Sequence, residues 1–243
     1  EVKVRTAHDY PSYEFWEEGA DEVIDFSHHP TPGKTTVSQA DIVFCLDFNA
    51  LSRIDALGDE VAKSKAKKCM IDHHLQPDTF ADYMLHDIKT SSTCALLSAL
   101  IVLQTDKKLI NKEVANCLYA GIMTDTGSFR FPSTSPKTHR VIADLMEAGA
   151  ENSEVHNLIY DNTTEDKLRL LGYSFCEKLN VFKEHGTAFF SLSQNDLNRF
   201  NYKKGDTEGL VNYGLSIEGI YFSAFIVERD GKVKLSFRSK GSF

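Results

Sequence analysis

The sequence predicts an α/β protein in two parts. A parallel-sheet N-terminal domain is expected over residues 1–163 and a smaller α+β C-terminal domain over 181–243, with a helical connector over 164–180. Three observations carry this reading. Short apolar runs alternate with helical periodicity from Asp41 to Ala148, the pattern of strand–helix units that build a parallel sheet. After about residue 150 the texture changes, and strand-like runs dominate from Ala188 onward. Acidic and imidazole side chains collect at the ends of the apolar runs, where open α/β sheets bind ligands.

Taken in order, Val2–Val4 reads as a short strand, Tyr13–Gly19 as a short helix or turn, and Glu22–Phe26 as a strand. His28 to Thr36 holds two prolines and a glycine and reads as a loop. Asp41–Leu46 is too continuously apolar for an exposed strand and is expected to be buried. Ser52–Lys65 has helical spacing through Ile54, Leu57 and Val61, and Lys68–Ile71 is the next strand. Ser92–Leu103 is an apolar helix; Lys112–Met123 is another, with Val114, Leu118 and Ile122 on one face. Ser135–Ala148 follows, closed by Gly149 as a C-cap. Ser153–Tyr160 and Glu165–Leu179 read as helices, and the domain boundary is expected inside or after the latter. Ala188–Leu192, Ile220–Glu228 and Lys232–Arg238 read as strands, the last two flanking a hairpin turn at Arg229-Asp230-Gly231. Leu197–Asn201 reads as the end of a small helix, and Glu208–Ser216 as another. A cleft between the two halves is the expected active site, since ligand sites favour domain interfaces.

Bulk properties narrow the function. Among 243 residues, 42% are hydrophobic and 26% charged, an ordinary composition for a globular domain. No run of 18 apolar residues offers a membrane span, and the N-terminus lacks the apolar core of a signal peptide. A net charge of −8 argues against coating long nucleic acid. It leaves room for a small phosphorylated substrate whose charge a metal offsets locally. The five cysteines are scattered without a CxxC pair, which points to free thiols in a reducing cytoplasm.

The chemistry centres on Asp72-His73-His74 at the end of the run Cys69-Met70-Ile71. Asp47 ends the Asp41–Leu46 run, and Asp125 sits in Thr124-Asp125-Thr126-Gly127. Each has a bland alternative: strand-end carboxylates are commonly caps or turn residues, and a loop histidine is commonly solvated. Together they form a set of carboxylate oxygens and imidazole nitrogens that suits Mn²⁺, Mg²⁺ or Zn²⁺. His28-His29 lies in a Pro/Gly loop and reads as solvated surface; His8, His86, His139, His156 and His185 have no evident partner in the sequence. Ser91-Ser92-Thr93 precedes an apolar helix, where it can cap the helix, hold a phosphate at its N-terminus, or both. Arg130 and the tail Arg238-Ser239-Lys240 are either surface residues or phosphate contacts.

These residues resemble motifs of the DHH phosphoesterases. The resemblance rests on Leu46-Asp47-Phe48-Asn49, Ile71-Asp72-His73-His74, Ser91-Ser92-Thr93 and the run from Gly121 through Asp125 to Phe131. The segment Arg199–Asn212 and the tail Ile226–Phe243 look like the associated C-terminal domain. The branch most resembled is the nano-RNases and pAp phosphatases, sometimes called exopolyphosphatase-like. The resemblance implies that Asp47 bridges two Mn²⁺ ions, with Mg²⁺ as an alternative, and that His73 and Asp125 ligate the second ion. It implies that His74 contacts the scissile phosphate and that Asp72 orients the histidines from behind. Ser91, Ser92, Arg130, Arg238, Ser239 and Lys240 would bind substrate.

The implied activity is hydrolysis of short oligoribonucleotides to 5′-mononucleotides, together with dephosphorylation of 3′-phosphoadenosine 5′-phosphate, by water activated between two metals. Alternatives are a pyrophosphatase or exopolyphosphatase of the same superfamily, or a non-catalytic nucleotide-binding module. A homodimer is compatible with the resemblance. Two departures stand out: the family's first motif, His-x-x-x-Asp-x-Asp, has no match upstream, and its closing Gly-Gly-Gly-His is missing beyond Gly241. The first ion is expected to lack its main ligands; the simplest account is a fragment, and the other is genuine loss of catalysis.

Overall fold

The computed structural model describes residues 1–8, 16–17, 19–104, 109–161, 163–229 and 231–241. The chain divides into two compact units, Glu1–Asp161 and Asn162–Phe243. A parallel sheet lies in the first and a separate mixed sheet in the second, the α/β class that the sequence predicts.

In the first unit, β1 (Arg5–Thr6) pairs in parallel with β2 (Ile24–Asp25). The strand expected at Val2–Val4 starts later, because the ladder begins where the Val4 carbonyl accepts from Ile24 N. Of the helix or turn expected at 13–19, residues 13–15 and 18 lie outside the described residues. The segment from His28 to Thr36 is not a loop: α1 spans Pro30–Gln39. Its prolines fall in the first turn, where a missing N–H costs nothing. Gly33 lets the helix lie against the Phe26 ring, and Val37 is buried beside it.

Next come β3 (Ile42–Leu46), α2 (Asp55–Lys63), β4 (Lys67–Asp72) and β5 (Tyr83–His86), the strands forming a parallel sheet in the order β3-β4-β5. Strand β5 was not legible, since four residues are too few to show a period. The expectation that β3 is buried is overturned. Cys45 is fully buried, but Phe44 is 60% exposed and Ile42 and Leu46 are also exposed. Successive side chains alternate between faces. Cys45 and Met70 meet Phe26, Val37, Leu57 and Val61, whereas Ile42, Phe44 and Leu46 point the other way.

Four helices complete the unit: α3 (Thr93–Gln104), α4 (Lys112–Asp125), α5 (Pro136–Glu147) and α6 (Asn152–Tyr160). Their core includes Ala115, Leu118, Ile122, Met123, Leu145 and Val155. Helix α4 is capped by Asn111 and runs past Met123, so that Asp125 is its last residue rather than a loop residue. Helix α5 starts with a capping box between Ser135 and Thr138.

The second unit opens with α7 (Glu165–Tyr173), shorter than the helix expected to reach Leu179. A π-helical turn over Ser174–Lys178 leads into β6 (Leu179–Phe182), a strand the sequence did not suggest. Then follow β7 (Thr187–Leu192), α8 (Gln194–Arg199), α9 (Leu210–Leu215), β8 (Phe222–Arg229) and β9 (Lys232–Ser239). Strands β7 and β8 are parallel, and β6 and β9 flank them antiparallel. Asp230 of the expected hairpin turn lies outside the described residues. The core joins Phe190, Leu192 and Phe225 of the sheet to Leu170, Leu197 and Leu210 of the helices.

Asp196 fixes the start of α8. Its carboxylate accepts from the Ser193 N–H and hydroxyl at 2.8 Å each and from the Tyr173 hydroxyl at 2.7 Å, and lies 2.9 Å from Lys178 Nζ. Burial opposes its ionisation, but the bonds from Lys178, Ser193 and Tyr173 outweigh burial and hold the carboxyl well below the usual carboxylate range. Its contribution is therefore full above about pH 4, the unfolded carboxylate's value, and is lost as pH falls through the folded value. Asp196→Ala is expected to cost about 2 kcal/mol in urea unfolding at pH 7, and the gap from wild type should shrink in strong acid. In the first unit, Gly33→Ala gains about 1 kcal/mol of helix propensity. The methyl overlaps the Phe26 ring, however, at a cost of about 1–3 kcal/mol. Net loss of stability is expected, and a stabilised variant would show that α1 can shift freely.

Candidate metal centre

Asp47, His73, His74 and Asp125 converge at the C-terminal end of the β3-β4-β5 sheet, with Asp72 behind the two imidazoles. Asp47 follows β3 directly, its N–H still bonded to the Ile71 carbonyl of β4 at 3.1 Å. Its φ of 64° turns the chain off the sheet, a left-handed conformation that Asp tolerates better than most residues. Asp72 closes β4, and His73 and His74 stand just beyond it. Asp125 arrives from the C-terminal end of α4.

The approach of Asp125 has a local cause. Gly121 and Asp125 lie one turn apart on the same face of α4. A side chain at Gly121 would overlap Cys94 Sγ, so the missing methyl brings α4 close to the start of α3. Burial pushes the Cys94 thiol up to about 12, with Asp125 and Asp47 adding to the shift. The thiol packs against α4 beside the two carboxylates.

His73 Nε2 sits between both carboxylates, 3.5 Å from Asp47 Oδ1 and 3.7 Å from Asp125 Oδ2. His74 Nδ1 is 4.0 Å from Asp47 Oδ1. One ligand atom each from Asp47, His73 and His74 lies within 4.8 Å of the others. Asp125 carries the clearest electrostatic signature. Burial raises its pKa to about 6, Asp47 adds repulsion, and His73 and His74 offset only part of this. A C-terminal helix end adds partial negative charge there. Oxygen and nitrogen donors with an excess of negative charge fit a divalent cation of the Mn²⁺, Mg²⁺ or Zn²⁺ type.

The support behind these groups is equally defined. Asp72 is fully buried. It accepts from His74 N at 2.8 Å with Oδ2, and Oδ1 lies 2.8 Å from His74 Nδ1. That contact assigns the Nδ1 proton to the Asp72 side and leaves Nε2 of a neutral ring as a lone-pair donor. His86, which had no evident partner in the sequence, lies across from Asp72 on β5, and its Nε2 reaches the His74 carbonyl at 2.7 Å. No spacing rule could have found it, because the contact depends on the register of β5.

The other expected residues fall differently. Ser91 and Ser92 are buried, and their hydroxyls are used inside the fold. Ser92 Oγ accepts from Ala95 N at 3.1 Å as a helix cap, and Ser91 Oγ accepts from Thr138 Oγ1 at 3.2 Å. Ser92 thus caps the helix, and Ser91 ties the preceding turn to α5. Arg130 is exposed after the left-handed turn Gly127-Ser128-Phe129, its guanidinium 5.4 Å from the Phe131 ring centre. Arg238, Ser239 and Lys240 belong to the second unit. Arg238 Nη1 donates to the Phe237 carbonyl, and Lys240 N to that of Tyr221.

Comparison with known proteins agrees with this arrangement. The family described as DHH family, N-terminal domain, matches residues 5–122. A Bacillus subtilis protein named bifunctional oligoribonuclease and PAP phosphatase NrnA is 32% identical over 202 residues, 82% of this chain and 62% of that protein. A Streptococcus mutans protein, named a probable bifunctional oligoribonuclease and PAP phosphatase NrnA, is 32% identical over 71% of this chain and 54% of its own. The chain thus spans between about half and two thirds of these curated relatives. The crystal structure of an exopolyphosphatase-related protein from Bacteroides fragilis superposes with a TM-score of 0.96 at 36% identity, over 100% of this chain and 71% of that one. With its Asp-His-His run at the strand end and its relatives matched across both units, the chain belongs to the DHH family.

Proposed function

We propose that the protein is a metal-dependent phosphoesterase that hydrolyses short oligoribonucleotides to 5′-mononucleotides and dephosphorylates 3′-phosphoadenosine 5′-phosphate. The observation that carries the reading is the meeting of Asp47, His73 and His74, with Asp125 against His73. The names of the Bacillus and Streptococcus relatives supply the substrate class. Mn²⁺ is the proposed ion, two per complete enzyme, with Mg²⁺ as the substitute. Asp47 would bridge the two ions and His73 and Asp125 would ligate the second.

Bound there, the ions supply a nucleophile at neutral pH and positive charge against the phosphoryl oxygens. The chain's own groups do the rest. Asp72 fixes the orientation of the His74 ring, the side chain assigned to contact the scissile phosphate. Arg130 can grip a further phosphate oxygen with its planar fork. Arg238, Ser239 and Lys240 are assigned to the rest of the substrate, and Ser91 and Ser92 act through the backbone turn that they anchor. The five free cysteines suit a compartment that keeps thiols reduced, such as the cytoplasm.

A second reading is a phosphoanhydride hydrolase acting on pyrophosphate or polyphosphate, favoured by the name of the Bacteroides fragilis neighbour. Assays with Mn²⁺ on 3′-phosphoadenosine 5′-phosphate, on two- to five-nucleotide RNAs and on inorganic tripolyphosphate separate the two. Release of mononucleotides with tripolyphosphate left intact is expected; the reverse pattern would establish the second reading. Asp47→Ala is expected to abolish turnover in the protein carrying this chain, and retained turnover would refute the bridging role.

A further inference from the structure

We infer that Thr93 is a positioning residue for Asp47, an inference that rests on the metal reading above. Thr93 is the first residue of α3 and is 4% exposed. Its hydroxyl donates to Asp47 Oδ1 at 2.7 Å, across 46 residues of sequence. The same Oδ1 faces His73 Nε2 and His74 Nδ1. Thr93 therefore occupies one lone pair of the atom that points into the candidate centre, and sets the rotation of the carboxylate around it.

Asp47 needs such a hold. It has a left-handed backbone, and its side chain is 54% exposed on one side and faces a second carboxylate on the other. Left alone, the carboxylate would swing toward water and away from Asp125. Thr93 is in turn held rigidly. Ser92 caps the helix that it opens, and Ser91 is bonded to Thr138, which belongs to the capping box of α5. The three consecutive hydroxyls thus form one device: two anchor the turn, and the third reaches the metal-facing carboxylate. Hydrogen-bonded partners behind a ligand usually set about 10- to 100-fold in metal affinity.

The test compares wild type, Thr93→Val and Thr93→Ser by Mn²⁺ titration, read by electron paramagnetic resonance of free Mn²⁺ without substrate, with thermal melting alongside. Valine keeps the shape and removes the donor, whereas serine keeps the donor. Thr93→Val is expected to bind Mn²⁺ about 10- to 100-fold more weakly, with its melting transition still cooperative, and Thr93→Ser to stay within about threefold of wild type. Unchanged affinity in Thr93→Val, or an equal loss in Thr93→Ser, would overturn the role of Thr93 while leaving the metal reading in place. A wild-type chain that binds no Mn²⁺ would overturn both.

Discussion

Asp47 and Asp125 repel each other, and the architecture of the first unit exists to hold them together. Burial and the Asp47 charge both drive Asp125 toward protonation, and the two imidazoles only partly compensate. A fold with no use for the pair would let either carboxylate drift into water, since both keep exposed surface. Here the backbone prevents it. Asp47 is tied to β4 through its N–H, and Asp125 is delivered by a helix that the Gly121–Cys94 contact presses against α3. Like charges fixed in place without a counter-ion are costly, so the arrangement is best understood as preorganised for a cation.

Support for the centre is graded by burial. The groups that face it are partly exposed, whereas the groups behind them, Asp72, Ser91, Ser92 and Thr93, are almost wholly buried. This division lets the outer groups meet solvent and substrate while the inner ones are locked by packing. It also leaves neither oxygen of the buried Asp72 without a partner: two bonds from one residue, His74, satisfy both.

Much of this was legible in the sequence because the informative residues sit at the ends of apolar runs. Asp47 and Asp72-His73-His74 could be placed at strand ends from hydropathy alone, and α4 and α5 announce themselves by periodicity and capping. What could not be read depends on pairing. His86 acquires its role from the register of a four-residue strand, and Thr93 from a contact 46 residues away. The helix at Pro30–Gln39 was hidden by residues that normally break structure, yet prolines in a first turn and a glycine against an aromatic ring are compatible with it. The exposure of β3 was hidden for a related reason. An all-apolar strand shows that both faces avoid water in some context, but does not show which neighbour covers each face.

Direction of charge links the helices to the chemistry. Helix α3 begins at Thr93, beside Asp47, and α4 ends at Asp125. The positive end of one helix dipole thus faces Asp47, and the negative end of the other adds to the negative charge at Asp125. The two carboxylates consequently differ in character although they share His73. Asp47 is held in orientation by a hydroxyl at a helix start, whereas burial and the Asp47 charge push Asp125 toward neutrality. The two carboxylates therefore behave differently in place: the orientation of one is fixed by its neighbours, while the protonation of the other follows the charge around it.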